Sequence, residues 1–343
     1  MAYFVEEPGL CFDDVLIVPQ YSSISSRRDV ALRQTEILGT YPLRLPIISA
    51  NMDTCTEYNM ASKMASLGGL GIYHRYMDIP QVTEAVEVWF QREHSMFSMA
   101  VGSVVKDQAR IDVLLDNFGQ QKMCLCVDLA HGDSRNVLET IEYIRRDKNF
   151  LGPLIAGNVC TPEGAKRLLG AGADIVKVGI GCGSACTTRI KTGCGYPQLS
   201  AIFNCSQVGP VIADGGIRTP ADAAKALGAG AKAVMLGGAL AGTDCTPSWD
   251  RDEDRTEFRG MASQEARSSF NGESSNEEGV SCMVKTKPEG STEQVINYFT
   301  EGLKSSLSYI GVDNLEDFRE EVVFVKTSPS AIEENKPHIY NTL

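Results

Sequence analysis

The chain has 343 residues, 43% hydrophobic and 22% charged, ordinary globular proportions that exclude a fibre or a disordered polymer. Its formal net charge of -12 excludes broad phosphate-backbone binding, which needs clustered Lys and Arg, so nucleic acid is not an expected partner and any bound phosphate must sit in a local pocket. No apolar run reaches the roughly 20 residues of a membrane span, the start MAYFVEEPGL carries acid where a signal peptide carries base, and the 11 cysteines lack framework spacing, so a cytoplasmic protein with reduced thiols and no membrane partner is expected.

Short apolar runs rich in β-branched residues alternate with amphipathic stretches of helical period. PIIS at 46–49 precedes TEYNMASKMASL, and LGIY at 70–73 precedes PQVTEAVEVWF. FSMAVG at 97–102 and MCLCV at 123–127 follow, then SRNVLETIEYIRR. PLIA at 153–156 leads into TPEGAKRLLGAGA, DIVKV at 174–178 into a Gly-rich loop, and PVIA at 210–213 into TPADAAKALGAGA; AVML at 233–236 is the eighth run. Parallel pairing needs crossover helices and closure removes exposed edges, so the pattern predicts an α/β fold, a single (β/α)8 barrel over 1–343. The competing doubly wound sheet lacks support, since no GxGxxG follows an early strand and the Gly-rich turns come late.

Residues 241–290 break the alternation. GTDCTPSWDRDEDRTEF and SSFNGESSNEEGV are polar, charged and rich in Gly and Ser, which predicts a structureless excursion, read over 245–290 as a mobile flap across the barrel mouth. Helical period resumes at STEQVINYFTEGLKSSLSYIG, and the chain ends in a polar tail with Pro329 and Pro337.

Residues that follow barrel strands converge on one face, and the chemistry is sought there. The loop after the sixth strand, taken as 180–195, reads IGCGSACTTRIKTGCG and combines glycines, a cysteine, hydroxyls and an arginine. Gly181 and Gly183 permit a tight turn, and Cys186 is a candidate nucleophile if nearby donors favour its thiolate. Two other readings stand beside it: a buried small hydrophobe, and a metal cluster of Cys182, Cys186 and Cys194, which lacks a CxxC pair or a nearby histidine. Asp214-Gly215-Gly216 ends the seventh strand and Gly237-Gly238 the eighth. Backbone amides there suit a phosphate and the aspartate suits ribose hydroxyls, against the plainer reading of tight turns with a helix cap.

With these segments in view, the chain resembles the IMP dehydrogenase and GMP reductase family over nearly its whole length. The matching blocks are GLCFDDVLIVPQ at 9–20, SANMDT at 49–54, the cysteine loop, IADGGI, MLGGALAG and FRGMAS. The resemblance implies a barrel, a homotetramer, a purine monophosphate (GMP or IMP) as substrate, and a covalent intermediate on Cys186. It implies that Ser49, Asn51, Met52, Ser184, Asp214, Gly215, Gly216, Gly237 and Gly238 hold the nucleotide and that Gly260, Met261 and Ser263 line the purine site. A K+ ion on the carbonyls of Gly181, Gly183 and Cys186 is implied, as is a dinucleotide cofactor facing Arg75, Asp128, Asn158 and Gly179. For Asp128 a helix cap before Ser134 competes.

Within that family two directions of chemistry compete. Only about one helix's length separates the second and third strands, too little for the CBS insert usual in dehydrogenases. The flap has Arg267 followed by Ser268, with no tyrosine between Met261 and Val280, so the Arg-Tyr pair that dehydrogenases use on water is missing. TGCGYPQLSA at 192–201, Asn51 and the second glycine of MLGG match the reductase pattern. VDLAHGDS, Glu57 after TCT and the tail KPHIY carry dehydrogenase character; Cys182 replaces a customary proline and Arg75 a customary lysine. The expectation is a GMP reductase using NADPH, in which Thr188 with Glu278 protonates the leaving ammonia, and Glu277 is the competitor for that role. A flavin barrel oxidoreductase and a silent nucleotide-binding protein are the alternatives from other classes.

Overall fold

Strands buried on both faces need cover on both sides, and eight of them joined by crossover helices satisfy this by closing into a barrel. The structure is a computed structural model that describes residues 8–38, 41–93, 95–118, 122–271 and 277–335. Ahead of the barrel lie β1 (Val15–Ile17) and an antiparallel pair, β2 (Gln34–Leu38) and β3 (Tyr41–Leu43). The barrel strands are β4 (Ile47–Ser49), β5 (Leu70–Gly71), β6 (Phe97–Val101), β7 (Met123–Asp128), β8 (Leu154–Val159), β9 (Ile175–Val178), β10 (Val211–Asp214) and β11 (Ala233–Leu236). They pair in the order β5-β4-β11-β10-β9-β8-β7-β6. The remaining seam closes through Tyr73, whose N–H donates to Ser98 O at 2.8 Å and whose carbonyl accepts from Ala100 N at 2.8 Å. The expected (β/α)8 barrel is borne out, and each of the eight predicted runs overlaps one of its strands.

The crossovers are α1 (Tyr58–Leu67), α2 (Ile79–Arg92), α3 (Val104–Asn117), α4 (Arg135–Glu142), α5 (Pro162–Ala171), the short α6 (Thr188–Thr192) with α7 (Gln198–Ser206), and α8 (Pro220–Gly228). Their starts follow from local chemistry. Asp78 caps α2 in a box with Gln81, Thr161 caps α5 ahead of Pro162, and Thr219 forms a box with Asp222 ahead of α8. Residues 72–96 between β5 and β6 hold the single helix α2, and no CBS module is present among the described residues. The sequence stretches read as helical omit α3, because its apolar stripe of Ile111, Leu114 and Leu115 is interrupted by Arg110, itself 3% exposed.

The 245–290 segment departs from expectation. It is not structureless: β12 (Arg255–Arg259) and β13 (Ser281–Lys285) form an antiparallel pair, and α9 (Gln264–Asn271) lies between them. Alternate burial of Thr256 and Phe258 against less buried neighbours gives β12 one inward face, a period-2 signal hidden by the flanking acids. The chain then runs through α10 (Ser291–Ile310), which buries Ile296, Phe299, Leu303, Leu307 and Ile310 at helical spacing, and α11 (Leu315–Glu321). Finally β14 (Phe324–Lys326) pairs antiparallel with β1, bringing the two ends of the described chain together, before α12 (Pro329–Glu334). The tail segment KPHIY at 336–340, with Pro337, lies outside the described residues.

Candidate active site

The C-terminal ends of the barrel strands share one edge, and above it opens a cleft of about 1520 Å³. Its wall brings together Met52, Arg75, Asp128, Asn158, Gly179, Gly181, Gly183, Ser184, Cys186, Thr188, Asp214, Gly215, Gly216, Gly237, Gly238, Gly260, Met261 and Glu278. These residues come from seven of the eight strand ends and from the flap, so the cleft is assembled entirely by tertiary contact. Gly179 shows why β9 and β10 admit no side chain here: a Cβ would stand 1.9 Å from the Asp214 carbonyl oxygen.

The floor is a charged cluster built around a buried ammonium. Lys177 on β9 is 2% exposed, and its Nζ lies 2.6 Å from Asp128 Oδ1, 3.1 Å from Asp214 Oδ2 and 3.3 Å from Asn51 Oδ1. Burial alone would lower the ammonium's pKa, but the Asp128 and Asp214 carboxylates outweigh it and hold it above its ordinary value. Burial alone would raise Asp128; Lys177, with Arg75 and a hydrogen bond from Asn51, holds it below the usual carboxylate range. Asp214 Oδ2 also accepts from Asn158 Nδ2 at 2.8 Å, while Asn158 Oδ1 is buried with no protein partner among the described residues.

The reactive wall is built on the cysteine loop. Cys186 is half-buried, and its Sγ lies 3.2 Å from the Thr188 hydroxyl, which in turn donates to Glu278 Oε2 at 2.8 Å. Glu278 arrives there through backbone register. Its N–H donates to Ala262 O and its carbonyl accepts from Thr187 N, while Val280 N donates to Ala185 O and Gly260 N to Val280 O. Segment 278–280 is thus threaded between the cysteine loop and the 260–262 turn. Gly279 permits it, since a Cβ would meet Ser263 N at 2.9 Å. Cys182 stands apart in character: burial, reinforced by the Asp214 charge, pushes its thiol up, and its Sγ donates to the Asp214 carbonyl at 3.3 Å. No group of three His, Cys, Asp or Glu side chains among the described residues could hold a metal ion, which removes the Cys182, Cys186, Cys194 cluster.

Further contacts fasten the flap to the barrel. Arg259 on β12 pairs with Asp53 at 2.6 Å, both largely buried, and its N–H donates to the Thr54 hydroxyl. Tyr76, beyond β5, donates from its hydroxyl to Met261 O at 2.7 Å and stacks its ring on Phe270 of α9 with centroids 5.0 Å apart. The Arg75 guanidinium lies over the Tyr76 ring at 5.0 Å.

Three expected residues do not reach the cleft wall. Ser49 is fully buried and accepts from the Thr56 hydroxyl at 2.8 Å; Asn51 lies beneath the floor on Lys177; Ser263 is fully buried and its hydroxyl accepts from Ala266 N at the start of α9. In the same two segments Met52 and Met261 are the residues that line the cleft. Sequence reasoning passed over Lys177, Gly279, Tyr76 and Arg259. A lysine inside the β-branched run IVKV was the available signal for the first, because an unpaired ammonium does not survive in a strand buried on both faces.

Comparison with known proteins agrees with this architecture. Residues 9–338 match the family profile described as the IMP dehydrogenase / GMP reductase domain. The chain is 36% identical to an inosine-5'-monophosphate dehydrogenase of Cryptosporidium parvum, across 96% of this chain and 95% of that one. It is 35% identical to a GMP reductase of Yersinia pestis (strain Pestoides F), across 93% and 95%. Among solved structures, a GMP reductase variant of Trypanosoma brucei in complex with guanosine 5'-monophosphate superposes with a TM-score of 0.85 at 26% identity, covering 97% of this chain and 98% of that chain. The barrel, the cleft at its C-terminal edge and a family match spanning nearly the whole chain together make this protein a member of the IMP dehydrogenase and GMP reductase family of oxidoreductases.

Proposed function

We propose that the protein is a cytosolic GMP reductase that converts GMP to IMP and ammonia. The observation that carries the reading is the Cys186–Thr188–Glu278 chain, in which one hydroxyl joins a thiol to a carboxyl group across the cleft. The Cys186 thiolate adds to C2 of the purine, forming a C–S bond. Glu278, through Thr188, gives the departing amino group its proton, and ammonia leaves a covalent thioimidate. The dinucleotide, NADPH, supplies a hydride to C2 when bound. Loss of the thiolate from C2 then restores the ring as IMP. The balance is GMP, NADPH and two protons giving IMP, NADP+ and ammonium. Asp214 and the glycine turns at 215–216 and 237–238 hold ribose and phosphate; Arg75, Asp128, Asn158 and Gly179 hold the dinucleotide. The buried Asn158 Oδ1 and Arg75 Nε, both lacking protein partners among the described residues, suit a polar ligand at that end.

A K+ ion on the carbonyls of Gly181, Gly183 and Cys186, and assembly as a homotetramer, complete the proposal. The Gly183 carbonyl accepts from Cys186 N at 3.1 Å and keeps a second lone pair that fits a cation. The second reading, an IMP dehydrogenase, draws on the adjacent Arg75 and Tyr76 that line the same cleft, although the Tyr76 hydroxyl is engaged by Met261. Absorbance at the reduced-nicotinamide band decides between them in parallel assays of GMP with NADPH and IMP with NAD. NADPH loss with matching ammonia and IMP is the expected result; NADH formation from IMP sinks the reductase reading.

A further inference from the structure

We infer that Lys177 is a positioning residue that binds Asp214 and Asp128 into one charged unit, so that a single buried ammonium sets the acceptor presented to the nucleotide ribose. The inference rests on the reading above in taking Asp214 to face the ribose. Lys177 is absent from the cleft wall and 2% exposed, so it acts only through other residues. Its three donors match three acceptors: Asp128 Oδ1 on β7, Asp214 Oδ2 on β10 and Asn51 Oδ1 after β4. The side chain of each carboxylate keeps about a fifth of its surface exposed, 19% for Asp128 and 21% for Asp214, and both line the cleft. One positive charge between two negative ones leaves the unit singly negative, and both carboxylates remain hydrogen-bond acceptors.

Without the ammonium, two partly buried carboxylates face each other. One then takes a proton or turns away, and Asp214 is no longer a fixed acceptor for hydroxyls. A residue that merely fills space does not depend on charge balance, and this separates the two roles. Removing the Lys177 charge together with the Asp128 charge returns the unit to a net single negative charge.

The test is calorimetric titration of the full chain with GMP and with IMP, no dinucleotide present, so that it does not depend on the direction of the redox chemistry. Lys177→Met is expected to weaken both nucleotides about 30-fold or more. The double variant Lys177→Met/Asp128→Asn is expected to return to within about fivefold of the wild type. Circular dichroism on each variant reports folding. If Lys177→Met binds within about threefold of the wild type, or the double variant binds no better than the single one, the inference is overturned. Should Lys177→Met fail to fold, the double variant decides alone: recovery of binding upholds the inference and its absence overturns it. A wild type that binds neither nucleotide overturns the ribose reading itself, before any variant is made.

Discussion

The floor of the cleft and its flap wall hold their polar groups by different means. On the floor, Lys177, Asp128 and Asp214 extend from strands packed on both faces, and the burial of the ammonium makes each charge depend on the others. On the flap wall, Glu278 is partly exposed and paired with no cation among the described residues; backbone hydrogen bonds to Thr187 and Ala262 and the room left by Gly279 position it. Chemistry that needs a fixed acceptor therefore belongs to the floor, and chemistry that needs a group brought to the thiol belongs to the wall.

The largest expected break in this arrangement is Cys186→Ala, which removes the proposed nucleophile. Turnover of GMP falls by about 10⁴-fold or more while nucleotide binding by calorimetry persists. Retained turnover would assign the chemistry elsewhere. Glu278→Gln tests the wall alone: ammonia release slows by about 10²-fold or more, and Glu277→Gln leaves it within about threefold. The reverse ranking would transfer the acid role to Glu277. Gly279→Ala sharpens the contrast, since the added methyl meets Ser263 N and displaces the carboxyl without altering its chemistry; kcat falls about tenfold with GMP binding nearly unchanged. Tyr76→Phe, which deletes one hydrogen bond from flap to barrel, costs about 1 kcal/mol and appears as a severalfold rise in the dinucleotide KM.

The floor also makes a pH prediction. Asp128 is held below its ordinary value, so its contribution to stability is complete above about pH 4 and is lost as pH falls through the lowered value; Lys177 is held above its own, so its contribution is complete below about pH 10 and is lost as pH rises through the raised value. In Lys177→Met, Asp128 loses the cation that opposes burial, and protonation relieves it. The gap in urea stability between wild type and variant therefore narrows as pH falls from neutrality. A gap that widens on acidification would contradict the ionised floor.

Much of the barrel was legible in the chain because its signals are local. Runs such as PVIA and AVML, the caps at Thr161 and Thr219 and the glycines after β10 and β11 each act within a few residues. The roles of Thr188 and Glu278 were legible only as a resemblance, since 90 residues separate the two and no local rule relates them. The β12–β13 pair was obscured for a related reason: the acids around Arg255–Arg259 look like solvated loop until a partner strand gives that segment a buried face.

By itself, then, the sequence determined the eight strands, most of the helices, the order in which they alternate and the candidate thiol, because hydrophobic period, capping and turn chemistry are short-range. Only the tertiary structure decided that Lys177 lies between two carboxylates, that Asn51, Ser49 and Ser263 sit behind the cleft wall, and that Gly279 delivers Glu278 to Thr188. Those outcomes depend on which strand ends meet across the barrel mouth, and on the burial of Lys177 beneath it, neither of which any stretch of chain carries alone.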